Sequence, residues 1–286
     1  MTHLDLTTLK MDDASFERLS QYIIKTYGIK LPLAKRSMLE SRLNKKVRTL
    51  GMDNYASFVD YIFSDKGRES ELFHVVDLIT TNKTDFFREP AHFQFLSDTF
   101  LPASIHEPRF QSLKVWSAGC STGEEPYSLL MVLEEFKRKH VSFNYSMLAS
   151  DISVRVMQKA HQGIYHADRI EVVPPEWRPV YFLKGKDSHR GLVRIKPVFR
   201  SRIAYRRINL MEAFDTMRLG SWDIIFCRNV LIYFDRVLQE QVIRKLATCL
   251  NPGGLLFLGH SESIMGMDMP LKQIRPTIYK LSHGAA

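Results

Sequence analysis

Between Lys114 and Tyr127 the chain reads KVWSAGCSTGEEPY. An apolar, strand-like start at Val115 and Trp116 runs into small residues. The paired acids Glu124 and Glu125 follow, then the helix-forming run SLLMVLEEFKRK. Strand, tight small-residue turn and helix form the opening unit of a nucleotide-binding α/β domain. Glycines let the backbone approach a ligand closely, and the helix N-terminus offers N–H groups with no intrahelical partner. The acids change the chemistry of that turn. A phosphate would take those N–H groups without two carboxylates beside it. A ligand with ribose hydroxyls and a net positive centre suits the carboxylates, and S-adenosylmethionine (SAM), with its sulfonium and ammonium groups, is such a ligand.

Two other readings stand beside this one. Glu124 and Glu125 can simply favour the positive end of a helix dipole. Alternatively, Gly119 to Gly123 matches G-x-S-x-G, the nucleophile elbow of α/β hydrolases, with Ser121 as nucleophile. Asp223 and His260 then follow in the hydrolase order. Position argues against the hydrolase, because the elbow normally follows several strands and residues 1–110 read as helical. No HGGG-type oxyanion motif precedes it either.

The elements that must carry these groups alternate. FNYSMLASDI (143–152) reads as a second strand ending in Asp151. An acid at that strand end accepts ribose hydroxyls in a Rossmann unit, or caps the next helix. VRVMQKAHQGIY is a helix, followed by a piece rich in Pro174, Pro175 and Pro179. Residues 181–200 read as a small antiparallel β insertion, basic at Lys184, Lys186, Arg190, Arg194 and Lys196; it serves as a surface hairpin or as a peptide-docking edge. RIAYRRINL ends in Asn209 and Leu210, and DIIFC is apolar enough for a buried central strand ending at Arg228 and Asn229. A helix over 236–249, a turn at Asn251 to Gly254, the strand LLFLGHSES and a pair turning at Arg275-Pro276 complete the chain. The pattern predicts an α/β fold, a doubly wound sheet with one antiparallel addition.

The first 80 residues read instead as a small all-helical domain. Asp12 and Asp13 cap a helix ended by Gly28, Pro32 opens a second ended by Gly51, and an Asp53/Asn54 cap opens a third. A fourth buries Leu72, Val75, Val76 and Ile79. On the second helix Lys35, Arg42 and Lys46, flanked by Lys45, form a basic stripe. Such a stripe is a solvated face or a docking surface for an acidic partner. The run TTNKTDFFRE (80–89) and the helix PAHFQFLSDTFL form a connection over 81–101, and the α/β domain spans 102–286.

The chain carries a formal net charge of +9 over 286 residues, which points to an acidic partner such as nucleic acid, anionic membrane or an acidic protein surface. Three widely spaced cysteines without C-x-x-C form neither a disulfide framework nor a zinc signature, which fits a reducing cytoplasm. The N-terminal stretch has no leader pattern, and no apolar run approaches the ~20 residues of a membrane span.

TTNKTDFFRE, VWSAGCSTGEEPYS, LASDI, GIY, FCRNVLIYF and NPGGLLFLGHSES, in this order and spacing, resemble the chemotaxis receptor methyltransferases, the CheR family. The resemblance runs from about residue 12 to the end. It implies a SAM-dependent enzyme that methylates glutamate side chains of chemoreceptors in the cytoplasm, recruited to receptor arrays, with S-adenosylhomocysteine as product and no metal. It also implies neither nucleic-acid binding nor membrane insertion, and in some members a receptor C-terminal tether gripped by the β insertion. Carried over by position, Asn82, Thr84 and Arg88 reach the methionine end of SAM, Glu125 and Asp151 are its two acids, and Asn209 and Leu210 bracket the adenine. Arg228 and Asn229 lie near the methyl group, Arg88 and Tyr233 orient the acceptor carboxylate, and Lys35, Arg42, Lys45 and Lys46 face the acidic receptor bundle. The alternatives are a nucleic-acid methyltransferase, the hydrolase using Ser121, and a SAM-binding module without catalysis. Exocyclic-amine methyltransferases often carry N-P-P-Y or D-P-P-Y after the central strand, where this chain has Arg-Asn-Val-Leu-Ile.

Overall fold

The structure, a computed structural model, describes residues 9–80, 82–213 and 219–282. Residues 1–8, within the stretch read above for a leader, and Thr81, within TTNKTDFFRE, lie outside the described residues. The chain divides into two compact units, one of residues 1–81 with Tyr233–Asp235, the other of Asn82–Ile232 with Arg236–Ala286.

The first unit is helical. Helix α1 (Asp13–Tyr27) starts where the Asp12 carboxylate accepts the N–H of Ser15, and stops where Gly28 turns left-handed and its N–H returns to the Ile24 carbonyl. A single 3₁₀ turn (Leu33–Lys35) leads from Pro32 into α2 (Arg36–Thr49). Asn54 caps α3 (Tyr55–Phe63), as its short acceptor side chain predicts. The next helix, α4 (Asp65–Ser70), is not legible in the sequence. It has six residues with Gly67 inside, too few to show a period. After α5 (Leu72–Ile79), the apolar faces meet in a core of Leu19, Ile23, Leu39, Leu43, Val47, Tyr55, Phe58, Ile62 and Val75.

The second unit opens with the segment from Asn82 to Pro90, then α6 (Ala91–Phe95), a π-helical turn (Leu96–Phe100) and α7 (Leu101–Ser104). The helix widens next to Pro102, which has no N–H to give the ladder. Strand β1 (Ser112–Ala118) leads through the glycine turn into α8 (Glu124–Lys139), and β2 (Asn144–Asp151) into α9 (Val154–Gln162). Three short strands, β3 (Ile164–His166), β4 (Phe182–Lys184) and β5 (Leu192–Ile195), form a separate antiparallel sheet ordered β3-β5-β4. It buries Tyr165, Phe182, Val193 and Ile195. Helices α10 (Arg178–Tyr181) and α11 (Pro197–Arg200) flank it in sequence.

The main sheet continues with β6 (Ile203–Arg207) and β7 (Trp222–Cys227). Helix α12 (Arg236–Thr248), β8 (Leu250–Leu258), β9 (Leu271–Arg275) and β10 (Ile278–Leu281) follow. Its order is β6-β2-β1-β7-β8-β10-β9. The strands from β6 to β8 pair in parallel, while β10 runs antiparallel to both β8 and β9. This is the doubly wound α/β sheet with an antiparallel addition that the alternation predicts. From β1 the chain winds outward through β2 to β6, then returns to the other side of β1 with β7. The order therefore reverses between β1 and β7, and the crevice for a ligand opens beyond their C-terminal ends.

Candidate functional site

The turn after β1 is shaped by backbone geometry. Gly119 has φ +87°, and a Cβ there would lie 2.4 Å from Val230 Cγ2. The N–H groups of Gly119 and Cys120 both reach the Ser150 carbonyl at the end of β2. Ser121, at φ 49°, donates its N–H to Asp151 Oδ2 at 2.9 Å. Asp151 Oδ1 accepts the Ser153 N–H at 3.0 Å. The acid at the strand end therefore holds both the glycine turn and the start of α9, and its carboxylate is nearly buried at the edge where a ribose would lie. The N–H of Ile208 bonds the Asp151 carbonyl, which brings Asn209 and Leu210 alongside. Asn209 closes a local turn: Oδ1 accepts from Met211 N–H, and Nδ2 donates to Glu212.

The paired acids of α8 part company. Glu124 accepts from the Thr122 hydroxyl at 2.6 Å and from Arg169 at 2.8 Å. Arg169 also pairs with Asp85 and donates to the Thr84 carbonyl. Glu125 points the other way, accepting from Ser117 Oγ at 2.7 Å and from Arg228 Nη1 at 3.2 Å. Burial pushes the Glu125 carboxyl above its ordinary range; Arg228 and Ser117 pull it back only in part, and neighbouring Glu89 and Glu262 push the same way.

The segment from Asn82 to Glu89 is strapped onto this edge by its backbone. Ser121 Oγ donates to the Asn82 carbonyl at 2.9 Å, and the Phe87 N–H donates to Ser128 Oγ at 2.9 Å. Phe86 is buried against Tyr165 and Phe182, and Arg228 donates to the Arg88 carbonyl. Phe87 and Glu89 both take positive φ, uncommon for side chains of that size. The Arg88 side chain is partly exposed, with one nitrogen on the Lys83 carbonyl at 3.1 Å. Glu89 accepts from Arg228 at 3.0 Å, from Asn229 Nδ2 at 3.2 Å and from the His260 N–H at 3.3 Å. Burial raises the Glu89 carboxyl, but Arg228 and these hydrogen bonds outweigh it and hold it below its ordinary value.

Beyond β7 and β8 the backbone is gathered by Glu262. Its carboxylate accepts the N–H groups of Asn229, Leu231 and Gly259. Gly259 is the one residue type that fits there, since a Cβ would stand 2.6 Å from Asn229 Nδ2. Desolvation raises the Glu262 carboxyl despite those donors.

Of the residues expected in the site, Asn82, Thr84, Arg88, Glu125, Asp151, Asn209, Leu210, Arg228 and Asn229 all belong to the second unit and flank the C-terminal ends of β1, β2, β6 and β7. Glu89, Arg169 and Glu262 are members that sequence reasoning passed over, and Glu124, read there with Glu125, was not carried into the expected site. Glu89, Glu124 and Glu262 lie inside the recognised runs TTNKTDFFRE, STGEEPYS and GHSES. Arg169 carries no local signal, because its acid is 45 residues away. Tyr233 falls in the helical unit, where Lys35 Nζ stands 5.8 Å from its ring centre. In that unit Arg42 donates to the Ile79 carbonyl at 2.6 Å and the Thr80 carbonyl at 3.0 Å, and Lys46 pairs with Glu71. Two of the four expected docking bases thus spend their charge on the end of α5 and on its neighbour, while Lys45 faces solvent.

The hydrolase triad is not assembled. Asp223 is the second residue of β7 and accepts from Lys114 N–H and Asn251 Nδ2. It lies roughly 13 Å of strand short of the end where Ser121 sits.

A crevice built from buried acids around one arginine, at the reversal of a doubly wound sheet, defines a nucleotide-binding domain suited to a cationic nucleoside ligand. Burial disfavours the charged form of Glu125 more than Arg228 and Ser117 favour it, and a sulfonium or ammonium group beside it would favour the carboxylate. The family model for the SAM-binding domain of CheR methyltransferases matches residues 82–280, and that for their all-alpha domain matches residues 14–80. The chain is 35% identical to the chemotaxis protein methyltransferase of Salmonella typhimurium, over 97% of this chain and 93% of that one. It is 36% identical to that of Escherichia coli K12 over 96% and 93%, and 35% to that of Borreliella burgdorferi over 92% of each. A solved structure, magnesium protoporphyrin IX methyltransferase from Synechocystis with bound SAM, is 15% identical over 77% of this chain and 91% of that one. Its TM-score is 0.35. The chain belongs to the CheR methyltransferase family, and it is a SAM-dependent methyltransferase. No helix among the described residues is long and apolar enough to cross a membrane.

Proposed function

We propose that this methyltransferase transfers the methyl group of SAM to glutamate side chains of chemoreceptor cytoplasmic domains, giving γ-methyl esters. SAM supplies an electrophilic methyl group and leaves as S-adenosylhomocysteine. A glutamate carboxylate is already ionised at neutral pH, so no residue has to remove a proton, and placement with exclusion of water carries the rate. The chain's residues divide that work. Asp151 binds the ribose hydroxyls, Glu125 and Arg228 set the charge beside the sulfonium, and Asn209 with Leu210 brackets the adenine. Asn82, Thr84 and Asn229 line the methionine end.

One observation carries this reading. Arg88 sits on a backbone that Arg228 holds from inside the acid-rich crevice, while its own side chain remains partly exposed. A guanidinium so fixed can pair with one carboxylate, that of the acceptor or of the SAM methionine end, in two parallel hydrogen bonds. Tyr233 orients the acceptor in the same step. Lys45, with Lys35, offers the basic face of α2 to an acidic receptor bundle, and the enzyme acts in the cytoplasm at receptor arrays. The small β sheet is the candidate holder of a receptor tether.

Incubation with methyl-labelled SAM and chemoreceptor-rich membranes tests this. Base-labile label on the receptor is the expected result, since carboxyl methyl esters hydrolyse in alkali. Label on nucleic acid, or none on the receptor with SAM still bound, overturns it.

A further inference from the structure

The imidazole of His92, on α6, is only 2% exposed, so its nitrogens must find partners inside the protein. Nε2 lies 2.8 Å from the Thr277 hydroxyl. That hydroxyl gives its own hydrogen to the Pro276 carbonyl at 2.7 Å. That bond assigns the tautomer in which the hydroxyl accepts from His92 and Nε2 carries the ring proton. Nδ1 is left with a bare lone pair, and among the described residues no hydrogen-bond donor reaches it. What faces it is an anion, Glu89 Oε2, at 3.7 Å. The same oxygen stands 3.8 Å from Nε2 of His260, and the ligand atoms of the three residues all lie within 4.8 Å of one another. A lone pair directed at a carboxylate is repulsive, and a cation between them removes the repulsion.

We infer that Glu89, His92 and His260 form a binding site for a divalent first-row transition-metal ion, with zinc the best match. Two imidazoles and one carboxylate are a borderline donor set that suits zinc, whereas magnesium and calcium want oxygen throughout. Bonds of about 2.1 Å to one tetrahedral ion put ligand atoms about 3.4 Å apart, so the two spacings to Glu89 Oε2 need to close by a few tenths of an ångström and that between the two imidazoles by at most about 1.4 Å. His260, with 61% of its side chain exposed, has room to make that movement. Thr277 already plays the part of the orienting partner that ligating histidines keep on their second nitrogen. Three protein ligands leave a fourth position for water. The ion takes no part in the methyl transfer. It shares one oxygen with Arg228, because Glu89 Oε2 is also 3.0 Å from that guanidinium, and so it loosens the hold of Glu89 on Arg228.

The test uses the full chain, stripped of metal and titrated with zinc against a chromophoric chelator. The expected result is one ion bound at micromolar or tighter affinity, weakened at least tenfold by His260→Ala and unchanged by His189→Ala, an exposed histidine elsewhere. Cobalt(II) should give the visible absorption of a nitrogen- and oxygen-ligated ion in the parent and lose it in His260→Ala. Because His260 lies at the surface, that variant keeps its fold, which its thermal melt without metal checks. Absence of stoichiometric binding in the parent, or equal affinity in His260→Ala, overturns the site.

Discussion

Arg228 Nη1 and Glu125 Oε2 pair at 3.2 Å between the end of β7 and the first turn of α8, with the arginine side chain only 2% exposed. The pair joins the end of β7 to the helix that follows β1, across the reversal of the sheet, and Glu89 adds a second acid to the same guanidinium. Removing the arginine leaves two buried carboxylates without their counter-charge, which costs far more than the pair contributes. Arg228→Ala should therefore lower unfolding free energy by about 3–5 kcal/mol. Chemical denaturation measures it, and a loss under 1 kcal/mol would mean that the acids find another partner.

The raised Glu125 carboxyl has a pH consequence with a definite sign. Its ordinary value is 4.5, and the folded value lies above that. Between the two, the folded state binds more protons than the unfolded state. The contribution of Glu125 to stability is therefore full below pH 4.5 and is lost as pH rises through the folded value. Carboxyl ¹³C NMR should show two glutamates, Glu125 and Glu262, titrating above the others, and Ser117→Ala, which removes a donor to the charged form of Glu125, should move that one further up.

Arg88 and Tyr233 can be separated from the cofactor site by kinetics. Arg88→Ala should reduce turnover on the order of 100-fold, and Tyr233→Phe should reduce it less. Calorimetry of SAM binding shows whether Arg88 also holds the cofactor. Near-parental turnover in both variants refutes their roles. Asp151→Asn should weaken SAM binding while the protein stays folded.

On α2, Arg42 and Lys45 make opposite predictions. Arg42→Ala strips the hydrogen bonds from the end of α5 and should destabilise the helical unit by about 1.5–3 kcal/mol. Lys45→Glu should leave stability unchanged and raise KM for receptor several-fold with SAM affinity intact. An unaltered KM removes this face from receptor docking.

Ser121→Ala should retain methyl transfer. It loses one bond to the Asn82 carbonyl, worth about 1 kcal/mol, and no nucleophile.

Much of this arrangement was legible because its signals are local. Asp12 and Asn54 cap helices through their own neighbours, β7 is buried on both faces and its IIFC reads as an apolar run, and the glycine turn announces a close backbone approach. Helix α4 was hidden because six residues around a glycine carry no period. The partners of the basic stripe were hidden, since periodicity shows which face a side chain leaves from and not what it meets. Arg42 meets the open carbonyls of α5, and Lys46 meets Glu71.

By itself the sequence determined the family, a helical unit followed along the chain by a doubly wound sheet, and the residues that gather at that sheet's C-terminal edge. Periodicity, caps and glycine turns are properties of neighbouring residues, so they survive without coordinates. Tertiary structure decided which partner each charge took. Arg169 is bound to Glu124, Arg228 to Glu89 and Glu125, and the Nδ1 lone pair of His92 faces Glu89 Oε2. Those pairings join segments far apart in the chain, and ion pairs and metal ligands are selected by distance in space, on which order along the backbone has no hold.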